Sequence, residues 1–254
     1  MLLRYMFLPE REIPAGVGFT HFDPAHLTAI GVIAVWSVGM VWAGCRLRPA
    51  KRKHLMRWMA GMMIALELGK DAYLIGTGAF SVGYLPLHLC SLAMFLCLYL
   101  AWRPNSDWAG QLVWSVCFSG GLAALLFPDW INMPVYHILS LHSFLYHGML
   151  VQFALIAVIT GQARPRLGKL WKVGVFLIAV AIPVYLLNLR LGTNYMFLNR
   201  PLVNTPLALC ARLPGRCGYL TGYGLLAAVV LVLLDLPFSL WAAWKHMHSS
   251  DGQA

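Results

Sequence analysis

The sequence predicts an all-α fold: a polytopic membrane helical bundle with seven transmembrane helices, its N terminus outside and its C terminus inside. Three observations predict it. Apolar residues fill 60% of the 254 positions and charged residues only 11%, and the mean hydropathy is +0.69, a balance that excludes a water-soluble domain. Seven apolar windows, 25–45, 56–75, 84–102, 109–127, 136–160, 170–189 and 219–243, each supply the roughly 20 helical residues needed to cross hydrocarbon. Basic residues concentrate in alternate connections between those windows.

Taken in order, the opening MLLRYMFLPEREIP does not read as a cleaved signal peptide, because Arg4 interrupts its apolar run and PEREIP follows. Residues 1–24 read instead as an extracytoplasmic, amphipathic lead-in, and Asp23 before Pro24 marks a turn into the first helix near His26. The second window holds Glu67, Lys70 and Asp71, which predicts a helix that is tilted, partly interfacial, or kept polar by a function facing the bundle interior. The fourth window is clean, and Pro183 predicts a kink in the sixth. Residues 25–243 form one membrane domain without an internal repeat; 244–254 are a cytoplasmic tail too short to fold, read as disordered.

Charge supplies the orientation. Six Lys and Arg lie in 46–57 (RLRPAKRKHLMR), one at Arg103, four in 164–172 (RPRLGKLWK) and one at Lys245. With seven crossings these twelve share one side, which the positive-inside rule makes cytoplasmic. Arg190, Arg200, Arg212 and Arg216 oppose them from a single connection on the other side, where an anionic phospholipid headgroup is one use for them. Topology and anionic lipid account for the net charge of +10. The short connections offer no surface for nucleic acid, so none is expected as a partner.

The six cysteines form no metal motif, and no metal or other cofactor is expected. Cys45, Cys97 and Cys117 read as small apolar bundle residues. Cys210 and Cys217, in ALCARLPGRCGYL, lie on the outer side, where a disulfide is permitted but not established by spacing.

Polar residues gather in the outer halves of the helices. His88 and Cys90 interrupt YLPLHLCSLAMFLC (84–97), YHILSLHSFLYHG opens the fifth helix, Asn188 ends the sixth, and Asn194 and Tyr195 follow it. Glu67 and Asp71 share one face of the second helix. His88 and Cys90 are about 200° apart around a helix and do not face each other, so a partner for the thiol must come from elsewhere. Helix starts near 84 and 136 put Cys90 about 9 Å deep, His142 about 9 Å and His147 about 16 Å. Depth thus points to His142 and leaves His147 open. A paired imidazole lets the thiol attack a fatty acyl ester to form a thioester, with a His, Asn or Tyr at the oxyanion. Packed thiols with hydrogen-bonded histidines explain the same residues equally well.

LPLHLC (85–90), FLYHG (144–148) and NYMFL (194–198) together resemble the YwaF-like family of bacterial integral membrane proteins, itself related to the eukaryotic membrane acyltransferase of ether phospholipids. The resemblance covers about 25–243. It implies a transacylase in which a cysteine takes an acyl chain from a membrane phospholipid and passes it to a lysophospholipid. Cys90 matches the nucleophile and His147 the histidine of the His-Gly motif; His88 shares the motif of Cys90, and Asn194 and Tyr195 open the last one. His147 is therefore preferred as base, with His142 supporting or replacing it.

Such a site opens sideways to lipid near the extracytoplasmic leaflet of a bacterial cytoplasmic membrane. Asn188, Asn194 and Tyr195 are candidate substrate contacts, and Arg190 and Arg200 candidate phosphodiester partners whose alternative is Asp129 or surface lipid. Tyr84, Trp130 and Tyr136 read as aromatic-belt anchors. Three other classes stay open: a solute transporter using Glu67, Asp71 and the histidines, a haem or metal protein using His88, His137, His142 or His147, and a non-enzymatic scaffold.

Overall fold

Prolines and capping residues set where the helices begin. The structure, a computed structural model, describes residues 4–215 and 218–250. Pro24 sits in the first turn of α1 (Pro24–Arg46), and the Asp23 carboxylate accepts from His26 N at 2.8 Å, which holds its carboxyl below the usual range. α2 (Pro49–Gly76) starts at its proline, earlier than the apolar window implied, because a helix tolerates proline and charge in its first turn. α3 (Leu89–Trp102) starts later than expected: Pro86 lacks an N–H and drives its predecessor out of helical geometry, so 82–84 form a 3₁₀ turn and His88 becomes the extended N-cap.

The fourth window is one rod with an irregular centre, α4 (Asp107–Leu112), a π-helical stretch at Val113–Phe118 and α5 (Ser119–Leu126). The His137 side chain caps α6 (Ile138–Ile159) by accepting from Leu139 N at 3.2 Å. α7 (Leu170–Leu191) continues through Pro183 and ends at Gly192, whose φ of 68° suits glycine. The short α8 (Pro206–Cys210) precedes α9 (Gly218–Ser250), which runs past the expected boundary at 243, so the described part of the tail is helical rather than disordered.

There is no β-strand among the described residues. Six segments are long and apolar enough to cross a membrane: α1, Val82–Trp102, the α4–α5 rod, α6, Leu167–Leu191 and Gly218–Lys245. α2 has the length, 28 residues, but its charges keep it outside that set. It still runs the length of the bundle. Near its start the Arg57 guanidinium covers the Trp102 ring at 3.9 Å, and just beyond its end the Gly78 carbonyl accepts from Arg11 of the lead-in at 3.1 Å.

The core lies between α2, α3, the rod and α6, around Met59, Met63, Leu100, Leu112 and Phe153. α7 and α9 are peripheral and turn Ile178, Ile182, Val229 and Leu233 outward, as lipid-facing helices do. Polar bonds hold α9: Asp235 accepts from Gln111 at 2.6 Å, and Ser239 Oγ accepts from Leu167 N at 2.9 Å. The lead-in folds back over the opposite end, where Leu8 O accepts from His137 Nε2 at 2.9 Å, Met6 O accepts from Ile138 N, and Phe19 N donates to Ile131 O.

Candidate functional site

Pro86 determines the setting of Cys90. By delaying α3 it places Cys90 in that helix's first turn, where backbone N–H groups have no intrahelical acceptor, and the His88 side chain does not cap them. Cys90 is half-buried, unlike Cys97 and Cys117, which have no exposure at all.

Two helices converge on this turn. From α6, the Tyr146 hydroxyl donates to the Cys90 carbonyl at 3.0 Å. From α5, Gly120 lies beside the sulfur: a Cβ there would stand 3.9 Å from Cys90 Sγ. Its neighbour Gly121 faces α6, where a Cβ would come within 3.0 Å of the His147 carbonyl. Adjacent glycines thus lie beside the cysteine on one side and the histidine's backbone on the other; at Gly121 the approach is too close for a side chain, whereas a Cβ at Gly120 would make an ordinary contact.

His147 has one ring nitrogen committed. Its Nδ1–H donates to Ser143 O at 2.7 Å, which sets the tautomer and leaves Nε2 with its lone pair. The ring stacks on Trp130, centroids 5.4 Å apart and planes 9° from parallel. Trp130, half-buried at the boundary, thus also forms one wall beside the imidazole. His142 stacks on Tyr146 at 5.7 Å, and its Nε2 is buried without a hydrogen-bond partner. Among the described residues no hydrogen bond joins Cys90 Sγ to an imidazole.

His88 lies outside the helix as its extended N-cap, so helical spacing does not fix its direction relative to the thiol. Its ring packs on Tyr195 and Phe197, and Nδ1 accepts from Met196 N at 3.4 Å. Met196 and Phe197 adopt positive φ, 56° and 54°, so this contact is made by a strained turn. Asn188 holds the turn from α7, accepting from Tyr195 N at 2.9 Å and donating to Tyr195 O at 3.0 Å. Asn194 accepts from Asn199 N and Arg200 N and donates to Arg200 O at 2.9 Å. The Tyr195 hydroxyl donates to Val82 O. All three are engaged in building the 192–200 loop, while Arg190 and Arg200 are exposed and form no ion pair with Asp129.

The remaining candidates lie apart from the thiol. His137 uses both nitrogens on backbone, as does His26, which accepts from Phe22 N and donates to Leu125 O, both at 2.9 Å. Tyr84 donates to Glu10 at 3.2 Å. An open cleft of about 830 Å³ sits beneath the lead-in, lined by Glu10, Arg11, Phe19, Tyr84 and Asn132, and neither Cys90 nor His147 borders it. Among the described residues no group of three His, Cys, Asp or Glu side chains is arranged for a metal. The Cys210–Cys217 pairing lies outside the described residues, because Cys217 does.

Tyr146, Gly120, Gly121 and Trp130 were not singled out from sequence as site residues. Tyr146 sat inside the quoted FLYHG, and a Gly-Gly pair in an otherwise clean apolar window was the available signal for the other helix.

Comparison with curated proteins and with solved structures returns no match. A family model, in contrast, matches residues 21–235, which takes in α1 to α8, the Cys90 turn, the glycine pair, His147, the 192–200 loop and most of the membrane part of α9. The chain therefore belongs to the TMEM164 family, a family of polytopic membrane proteins.

Proposed function

We propose that this protein is a membrane lipid acyltransferase, a transacylase that moves a fatty acyl chain from a phospholipid to a lysophospholipid through a thioester on Cys90. The observation that carries this reading is the Gly120–Gly121 step, which brings a half-buried thiol and a histidine with a free Nε2 against one rod. The resemblance of LPLHLC, FLYHG and NYMFL to the YwaF-like family, and through it to the ether-phospholipid acyltransferase, supports the same assignment.

The Cys90 S–H proton passes to His147 Nε2, through a bridging water or after the ring turns, as Sγ attacks the ester carbonyl carbon. The tetrahedral oxyanion is held by N–H groups of the first turn of α3. Its collapse breaks the ester C–O bond, and the departing lysolipid oxygen takes the proton from His147. The acceptor hydroxyl then gives His147 its proton, attacks the thioester and restores the thiol. Bonds made and broken balance without oxidant or cofactor.

In the membrane, α2 serves as the seventh crossing, its polar face turned inward, with the lead-in outside and the twelve basic residues on the cytoplasmic side. The site then lies in the extracytoplasmic half of a bacterial inner membrane. Arg190 and Arg200, exposed at that level, are available to a lipid phosphate.

The test is purified protein in bilayers containing phospholipid donors and lysophospholipid acceptors, with mass spectrometry of lipids and intact protein. Native protein is expected to carry an acyl adduct on Cys90 and to exchange chains; Cys90→Ser is expected to lose both. Acyl exchange at the native rate by folded Cys90→Ser would overturn the mechanism. Solute flux without exchange would favour a transporter.

A further inference from the structure

A buried ion pair in α2 grips the segment that carries His88 and Cys90. Glu67 is 5% exposed, and its Oε1 lies 2.7 Å from Lys70 Nζ. Charges in a bundle interior are costly, and an ion pair there is weak evidence of stability by itself. What distinguishes this pair is what each member holds. The Ser91 hydroxyl donates to Glu67 Oε1 at 3.2 Å, and Lys70 Nζ reaches the Tyr84 carbonyl at 3.5 Å. The two charges thus bind opposite ends of residues 84–91. Within that stretch Pro86 forbids helical hydrogen bonding, so the backbone has few bonds of its own to define its course. Tyr146 adds a third attachment at the Cys90 carbonyl, from the other flank.

We propose that Glu67, neutralised by Lys70 and acting through Ser91, is a positioning residue for Cys90, and that Tyr146 completes a clamp on the first turn of α3. The inference rests on the assignment of Cys90 as the reacting thiol. Glu67 does not touch substrate; it aims the sulfur between Gly120 and the α6 histidines. Ser91 is the informative position, because removing its hydroxyl breaks the Glu67 link while leaving the ion pair intact.

The experiment measures the rate at which a small membrane-permeant maleimide modifies Cys90, resolved by peptide mass spectrometry, in native protein, Ser91→Ala, Ser91→Thr and Tyr146→Phe in bilayers. This readout reports the position of the thiol whether or not the protein moves an acyl chain, so failure of the clamp and failure of the transacylase reading are separable. Where exchange is active, kcat and KM are measured alongside. Ser91→Ala and Tyr146→Phe are expected to change the maleimide rate and lower kcat about 10-fold or more with KM little altered, since small misplacements of a reacting group are costly. Ser91→Thr, which keeps the hydroxyl, is expected to restore native behaviour. Lys70 Nζ also lies 3.4 Å from Asp71 Oδ1, so Glu67→Gln combined with Lys70→Met and Asp71→Asn avoids an unpaired charge and is expected to fall between them. Native maleimide rates in Ser91→Ala, or a change that Ser91→Thr fails to restore, would overturn the proposal. Melting temperatures identify any variant that simply loses stability.

Discussion

Two ends of one helix seam use the same side chain differently. Seven residues apart on α3, Cys90 and Cys97 both face the rod that opposes it. At Cys97 the opposing residue is Cys117, their sulfurs 3.6 Å apart and wholly buried, and Cys117 also reaches Ala93 O at 3.7 Å. At Cys90 the opposing residue, three positions further along the rod, is Gly120, and the cysteine is half-buried. The first end is filled by a second thiol and behaves as packing. The second faces a residue without a side chain, whose neighbour Gly121 packs on the His147 backbone. Chemical availability here depends less on the cysteine than on the residue across from it.

The sharpest way to break this contrast is to exchange the roles of the thiols. Cys90→Ser is expected to abolish the acyl adduct, whereas Cys97→Ala is expected to keep it and lose about 1 kcal/mol of stability, in the usual range for a single buried change. Intact-protein mass spectrometry and thermal denaturation read the two effects. Next in size, His147→Ala is expected to slow acyl transfer about 10²–10⁴-fold, the ordinary contribution of a positioned base, with its fold retained. A comparable loss in His26→Ala at unchanged stability would show that histidines of the packed type matter equally.

The glycine pair sharpens the comparison further. Alanine at Gly121 meets the His147 carbonyl at 3.0 Å and Leu150 Cβ at 3.3 Å, so Gly121→Ala is expected to cost about 1–3 kcal/mol through overpacking. Alanine at Gly120 makes only an ordinary 3.9 Å contact with the sulfur, so Gly120→Ala is expected to fold normally and, by narrowing the approach, to slow maleimide modification of Cys90. Parallel melting and labelling measurements distinguish the two glycines.

The smallest effect concerns pH at the lead-in. Burial pushes the His137 imidazole below its ordinary value, and its Nδ1 must stay unprotonated to cap α6. A depressed pKa contributes stability above the unfolded value of about 6.5, and that contribution fades as pH falls through the folded value. Cleavage by trypsin at Arg11 is therefore expected to quicken below about pH 6 and to change little above it. Flat cleavage across this interval would separate His137 from anchorage of the lead-in.

Legibility in the sequence followed the range of the interactions. The placement of α1, α6 and α7 was readable because a membrane helix needs only local apolarity and a cap, and Asp23-Pro24 announced the first start. The start of α3 was misplaced by five residues, from 84 to Leu89, although Pro86 was visible, because window hydropathy does not register a missing N–H. Trp130 reads from sequence as a boundary aromatic, and only the fold shows that its ring also stacks on His147. Glu67 and Lys70 were conspicuous as charges, yet nothing local told that Ser91 and Tyr84 would meet them.

By itself the sequence determined that the chain is a membrane helical bundle, where most of its helices lie, and which thiol stands beside a helix-breaking proline. Those properties are set by residue type and near neighbours. Tertiary structure alone decided that Gly120 rather than a bulky residue faces Cys90, that Trp130 stacks on His147, and that an ion pair on α2 holds the cysteine's turn. Each is a contact within a few ångströms, and two of them join residues more than twenty positions apart, whose approach depends on how every intervening helix packs.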